Sequence, residues 1–112
     1  MAADEVFVNY HGFHPSDISK KYIDMLLDEI HHEAPCGATL RAVFTKKDLI
    51  FKGTLNVHSS AGPFFAAATE ESLKKVADHM LEQMRRRFEK WKSKRSQHSS
   101  IKDIPYLDSG TE

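Results

Sequence analysis

The sequence predicts an α+β domain of order β-α-β-β-β-α: a four-stranded sheet with two helices packed on one face. Two segments carry apolar residues at helical spacing, one in each half of the chain. Four short segments carry strand patterning, and the last three are separated only by turn formers. The first helical segment lies between the first and second strands, where a crossover belongs.

The first strand, Glu5 to Tyr10, alternates around Val6, Val8 and Tyr10. His11 to Pro15 is a connector. Pro15 suits an early helical position, and Ser16 or His14 is placed to cap. The first helix then runs to about Glu33 with a broad apolar face of Ile18, Tyr22, Ile23, Met25, Leu26, Leu27 and Ile30. Pro35 and Gly37 stop it. Thr39 to Phe44 is the second strand, and Lys46, Lys47 and Asp48 form a turn. Leu49 to His58 is the third, with Leu49, Phe51, Leu55 and Val57 on one side and Lys52, Thr54, Asn56 and His58 on a wet opposite side. Ser59 to Pro63 is a loop, and Phe64 to Ala68 is the fourth strand, whose alanines allow a helix to sit close. The second helix spans Thr69, its expected cap, to Arg95, with Leu73, Val76, Ala77, Met80, Leu81, Met84, Phe88 and Trp91 on its apolar stripe. Short links make the last three strands an antiparallel meander. The first helix returns the chain so that the first strand joins in parallel, with right-handed sense. Each helix has one apolar face, so both cover the same side of the sheet.

Residues 1–95 therefore form one α+β domain, and residues 96–112 read as a flexible C-terminal tail. That tail opens with Ser96, Gln97, His98, Ser99 and Ser100 and holds Pro105 and Gly110. The start, Met-Ala-Ala-Asp-Glu, has neither the basic nor the apolar region of a signal peptide. No apolar run approaches membrane-spanning length. Cys36 is alone, which excludes an internal disulfide. A cytoplasmic location and no membrane partner are expected.

Net charge is zero over 112 residues, yet it is unevenly spread. Residues 1–69 hold six Lys or Arg against eight Asp or Glu, residues 70–95 nine against five, and residues 96–112 one against three. The positive excess sits on the second helix. At 100° per residue Lys75, His79, Gln83, Arg86, Arg87 and Lys90 fall along one flank, while Asp78, Glu82 and Glu89 fall with Lys74, Arg85 and Lys92 on the far side. Segregation by sign points to a polyanion-facing surface. Lys75 to Lys90 cover roughly 22 Å of helix, the reach of several successive phosphates. Lys offers a mobile point charge and Arg a planar fork for two phosphate oxygens. Gln83 suits a sugar hydroxyl or base edge. Phe88 and Trp91 belong to the core by their spacing.

Other chemistry finds little support. The seven histidines lack a Cys pair or a His-Glu-x-x-His pattern, and the adjacent His31 and His32 point about 100° apart on a helix, so no metal is expected. There is no Gly-rich phosphate loop, nucleophile elbow or convergent carboxylate pair, so neither an enzyme nor a cofactor or small-molecule substrate is expected. Asp24, Asp28 and Glu29 follow the polar face of the first helix.

Several stretches together resemble the bacterial ribosome hibernation promoting factors, also called ribosome-associated translation inhibitor A. These are Gly53-Thr54-Leu55-Asn56-Val57, then Phe64-Phe65-Ala66-Ala67-Ala68, then Thr69-Glu70-Glu71-Ser72-Leu73. Met80-Leu81-Glu82-Gln83-Met84-Arg85-Arg86-Arg87-Phe88-Glu89-Lys90 is similar to a Leu-Ile-x-Lys-Leu-x-Arg-Gln-Leu-x-Lys pattern, and Ser100-Ile101-Lys102-Asp103 resembles a Ser-Val-Lys-Asp of short members. The resemblance covers nearly the whole chain. It implies a fold similar to a double-stranded RNA-binding domain, binding to ribosomal RNA of the small subunit at the messenger and transfer RNA channel, and inactivation by steric exclusion in stationary phase or stress. It places Arg86 and Lys90 at basic positions of the family. Lys75 is added by the helical wheel, and Lys20 and Lys21 are the basic residues left on the first helix. Gln83 stands where Lys is common, and Met25 and Glu29 lie near positions that often carry Lys. No C-terminal dimerisation domain is expected, and the free protein is expected to be a monomer. Two readings compete: a general double-stranded RNA-binding module without ribosome preference, and a protein-interaction domain using the exposed sheet face.

Overall fold

Alternating apolar residues place one side of every strand in a common core. The computed structural model describes the backbone of residues 5–103 and the side chains of residues 6–94. The strands are β1 (Glu5–His11), β2 (Thr39–Lys47), β3 (Ile50–Ser59) and β4 (Gly62–Glu70), and the helices are α1 (Asp17–Glu33) and α2 (Leu73–Asp103). The sheet order is β1-β2-β3-β4, with β1 parallel to β2 and the other pairs antiparallel. This is the predicted β-α-β-β-β-α arrangement. α1 lies over β1 and β2, and α2 over β3 and β4.

Local signals explain the ends of the elements. Ser16 caps α1, its hydroxyl accepting from the Ser19 N–H at 3.1 Å. Ala34 ends the helix in an extended conformation, as a residue before proline must. The β2–β3 turn holds Asp48 at φ 58°, a left-handed geometry that Asp tolerates. β3 and β4 meet through a two-residue turn at Ser60 and Ala61, closed by Gly62 at φ 105°.

Several boundaries differ from the sequence expectation. β2 runs on to Lys47, through residues expected in the turn, and β4 starts at Gly62, inside the expected loop. Leu49 does not join the apolar side of β3; it sits in the turn, 80% exposed. Thr69 does not cap α2. β4 continues through it to Glu70, and Ser72 caps instead, with its hydroxyl accepting from the Lys75 N–H at 3.1 Å. Nor does α2 stop at Arg95. Its backbone stays helical to Asp103, because a formed helix adds residues at one hydrogen bond each even through serines. The remainder of the expected tail, 104–112, lies outside the described residues.

The core is filled by Ile23, Leu26, Leu27 and Ile30 of α1, Leu40, Ala42 and Phe44 of β2, Leu55 and Val57 of β3, Ala66 of β4, and Val76, Ala77, Met80, Met84 and Phe88 of α2. Phe64 extends it, meeting Phe88 edge-on at 5.0 Å between ring centroids. At Gly53 the second helix packs directly on the sheet. A Cβ there would stand 2.5 Å from Val76 Cγ1 and 3.0 Å from Met80 Cε. Val76 is stiff and fully buried, so it cannot yield.

Polar contacts lock the seam between the helices. Tyr22 of α1 donates to the Asp78 carboxylate of α2, and Lys74 Nζ lies 2.9 Å from the other Asp78 oxygen. Burial alone would raise the Asp78 carboxyl, but hydrogen bonds from Tyr22 and Lys74 hold it below the ordinary range. The same contact with Asp78 raises the Tyr22 hydroxyl. Farther along, Arg85 bridges to Glu29 at 2.8 Å and Glu33 at 3.0 Å.

Gly53→Ala is expected to push α2 off β3 and destabilise the fold by about 1–3 kcal/mol. Thermal unfolding followed by circular dichroism should show a fall of several degrees, and an unchanged midpoint would mean that α2 has slack at this crossing.

Candidate nucleic-acid interface

The apolar stripe of α2 settles where its other sides point. Tyr22, Glu29 and Glu33 of α1 reach Asp78, Lys74 and Arg85, so that side of α2 faces the other helix. Lys75, His79, Gln83, Arg86, Arg87 and Lys90 occupy the opposite side, along the border of edge strand β4.

Gln83 is the residue that ties this border together. Its amide nitrogen donates to the Ala67 carbonyl at 2.8 Å, and its amide oxygen accepts from the Ala67 N–H at 3.2 Å. An edge strand leaves alternate peptide groups unpaired, and the Gln83 side chain supplies the missing partner for one of them. Gln83 suits a sugar or base contact by its position, yet both ends of its amide are already engaged.

Two further members of the flank are paired. His79 Nδ1 lies 2.8 Å from Glu70 Oε2, a carboxylate brought from β4. Arg86 lies 3.0 Å from Glu82, one turn back on the same helix. The expected separation of Glu82 from the flank is therefore incomplete, because residues four apart are neighbours on a helix surface. Glu82 and Arg86 have side chains 61% and 73% exposed, so this pair is weak and open to exchange.

Lys75, Arg87 and Lys90 are exposed and form no ion pair among the described residues. Gln83, Arg86, Arg87 and Lys90 together line a shallow depression of about 280 Å³. Lys94, one helical turn past Lys90 and also exposed, extends this side of the helix. The helical wheel stopped at Lys90, and one more turn would have included it.

Lys20 and Lys21 are exposed on α1. The α1 face toward α2 is marked by Tyr22, Glu29 and Glu33. Lys20 and Lys21 lie roughly 160° and 100° around the helix from that face, so the structure does not join them to the α2 flank. Among the described residues no three His, Cys, Asp or Glu side chains gather as a metal site would require. No helix among them is long and apolar enough to cross a membrane.

The fold and the border define a small α+β domain with a cationic helix flank at one edge of its sheet. Two solved structures share this architecture. A ribosomal subunit interface protein from Coxiella burnetii aligns with TM-score 0.67 at 16% identity, over 80% of this chain and 98% of that one. The N-terminal domain of Protein Y from Thermus thermophilus aligns with TM-score 0.67 at 9% identity, over 76% of this chain and 94% of that one. Identities this low show a common fold. No protein-family profile and no curated protein matches the chain.

Gln83→Ala is expected to leave the Ala67 peptide without its partner and to cost about 1–3 kcal/mol. Amide hydrogen exchange at Ala67 should accelerate in the variant. Unaltered protection would show that β4 does not depend on the side chain.

Proposed function

We propose that this protein is a ribosome-associated factor of the hibernation type. In this reading it binds small-subunit ribosomal RNA through the β4-side flank of α2 and blocks the messenger and transfer RNA channel by occupying it. The observation that carries the reading is the exposed set Lys75, Arg87 and Lys90 on a rigid helix, with Arg86 beside them. The fold shared with a protein described as a ribosomal subunit interface protein supports it, as does the resemblance carried by the segments from Gly53 to Lys90. The mechanism requires no bond making. A domain held by several phosphate contacts excludes other ligands from the volume it fills.

The paired residues shape the proposal. Arg86 reaches phosphate only by leaving Glu82, and His79 only by leaving Glu70, so binding begins from Lys75, Arg87 and Lys90. Gln83 contributes by holding the flank in place. Lys20 and Lys21 stand apart from this surface and are not needed for the first contact. The domain begins with a strand, whereas a general double-stranded RNA-binding module begins with a helix, which disfavours that alternative.

Co-sedimentation with small subunits tests the proposal. The double variant Arg87→Glu and Lys90→Glu is expected to lose binding with its unfolding midpoint unchanged. For the unaltered protein the log–log salt slope should be roughly −2 to −3, as three replaced counterions give. Glu82→Gln should free Arg86, tighten binding and steepen that slope by about 1. Retained binding in the double variant would remove α2 from the interface.

A further inference from the structure

The sheet has a second face, and α1 and α2 leave it uncovered. Strand register arranges its residues in rows that run across all four strands. One row reads Phe7, Arg41, Asn56, Phe65 from β1 to β4. The next reads Asn9, Val43, Thr54, Ala67, and the one beyond it His11, Thr45, Lys52, Thr69. The two aromatic rings thus stand at opposite edges of one row, about 14 Å apart at the usual strand spacing.

Neither ring is buried: Phe7 is 40% exposed and Phe65 is 49% exposed. Phe65 meets no other ring among the described residues. The Arg41 guanidinium lies 5.1 Å from the centre of the Phe7 ring, making a second planar, charged surface in the same row. Arg41, Lys47 and Lys52 are exposed, and no carboxylate stands in these three rows, while the register sets Glu5 at the β1 end of the row beyond Phe7. Asp48 borders it from the β2–β3 turn. The face therefore offers flat π surfaces, cationic side chains and an amide.

We infer that this open sheet face is a binding site for single-stranded RNA, with bases stacking on Phe65 and on the Phe7–Arg41 pair. Arg41 and Lys52 then meet phosphates, and the Asn56 amide meets a base edge between the two stacks. Single-stranded RNA has both the flat faces and the negative charge that this set complements. A duplex hides its base faces, and an acidic peptide would leave the phenyl rings unused.

The surface also connects with the helix flank. Gln83 of α2 bonds Ala67 of β4, and Phe88 of α2 packs on Phe64. Phe65 therefore lies on the same border as Arg87 and Lys90, and one strand can pass from the flank over the β4 edge onto the sheet. The site rests on the residues of this face and stands whether or not α2 binds the ribosome.

A fluorescence-anisotropy titration of the full chain with a labelled eight-nucleotide uridine RNA tests the inference. Binding is expected, with Phe7→Leu and Phe65→Leu each weakening it about tenfold while keeping an apolar side chain at the site. Phe65→Trp should retain it, and Arg41→Ala should weaken it and make the salt slope shallower by about 0.7. A pre-annealed duplex of the same length should compete poorly. No binding, equal affinity for the duplex, or unchanged affinity in both leucine variants would overturn the inference. So would a protein partner lost from Phe65→Leu when the oligonucleotide does not bind. The titration contains no ribosomes, so its failure leaves the small-subunit proposal standing and the reverse also holds.

Discussion

The seating of α2 on β3 and β4 is the constraint on which the surface depends. Val76, Met80, Met84 and Phe88 bury one side of the helix. Gly53 permits the approach by having no side chain at the crossing. Gln83 then fixes the rotation, because its amide must face the Ala67 peptide. Turning the helix by one residue would swing that amide away by about 100° and lift Met84 toward water. With rotation fixed, Lys74 and Arg85 face α1 while Lys75, Arg87 and Lys90 face outward at the β4 border.

The cations of α2 consequently divide their work. Arg85 joins α2 to α1 through Glu29 and Glu33, and Lys74 steadies Asp78 of its own helix, which accepts from Tyr22 of α1. Arg86 pairs with Glu82 in the open, where the contact is cheap to break, while His79 meets the less exposed Glu70. Lys75, Arg87 and Lys90 form no ion pair among the described residues. A Lys at position 83 would satisfy the Ala67 carbonyl but not its N–H, whereas Gln satisfies both. The position exchanges a charge on the flank for a closed sheet edge.

Much of the fold could be read along the chain because its signals are periodic. The α2 stripe, the alternation of β3 and the run from Ser16 to Ala34 each specify an element without reference to the rest. The parallel β1 followed from the crossover. Boundaries were harder where several residues could serve. Thr69 and Ser72 both suit a cap, and the longer β4 decides between them. The border was only half legible. A helical wheel gives the direction of Gln83 and His79, but not that Ala67 and Glu70 wait there, since those partners come from another element. The row from Phe7 to Phe65 was likewise invisible, because it exists only once four strands are in register.

Lysine acetylation footprinting, with and without small subunits, reads the α2 flank residue by residue. Lys75 and Lys90 are expected to become protected on small subunits while Lys20 and Lys21 remain reactive. Equal reactivity of Lys75 and Lys90 in the two states, with protection confined to Lys20 and Lys21, would contradict this and move the interface to α1.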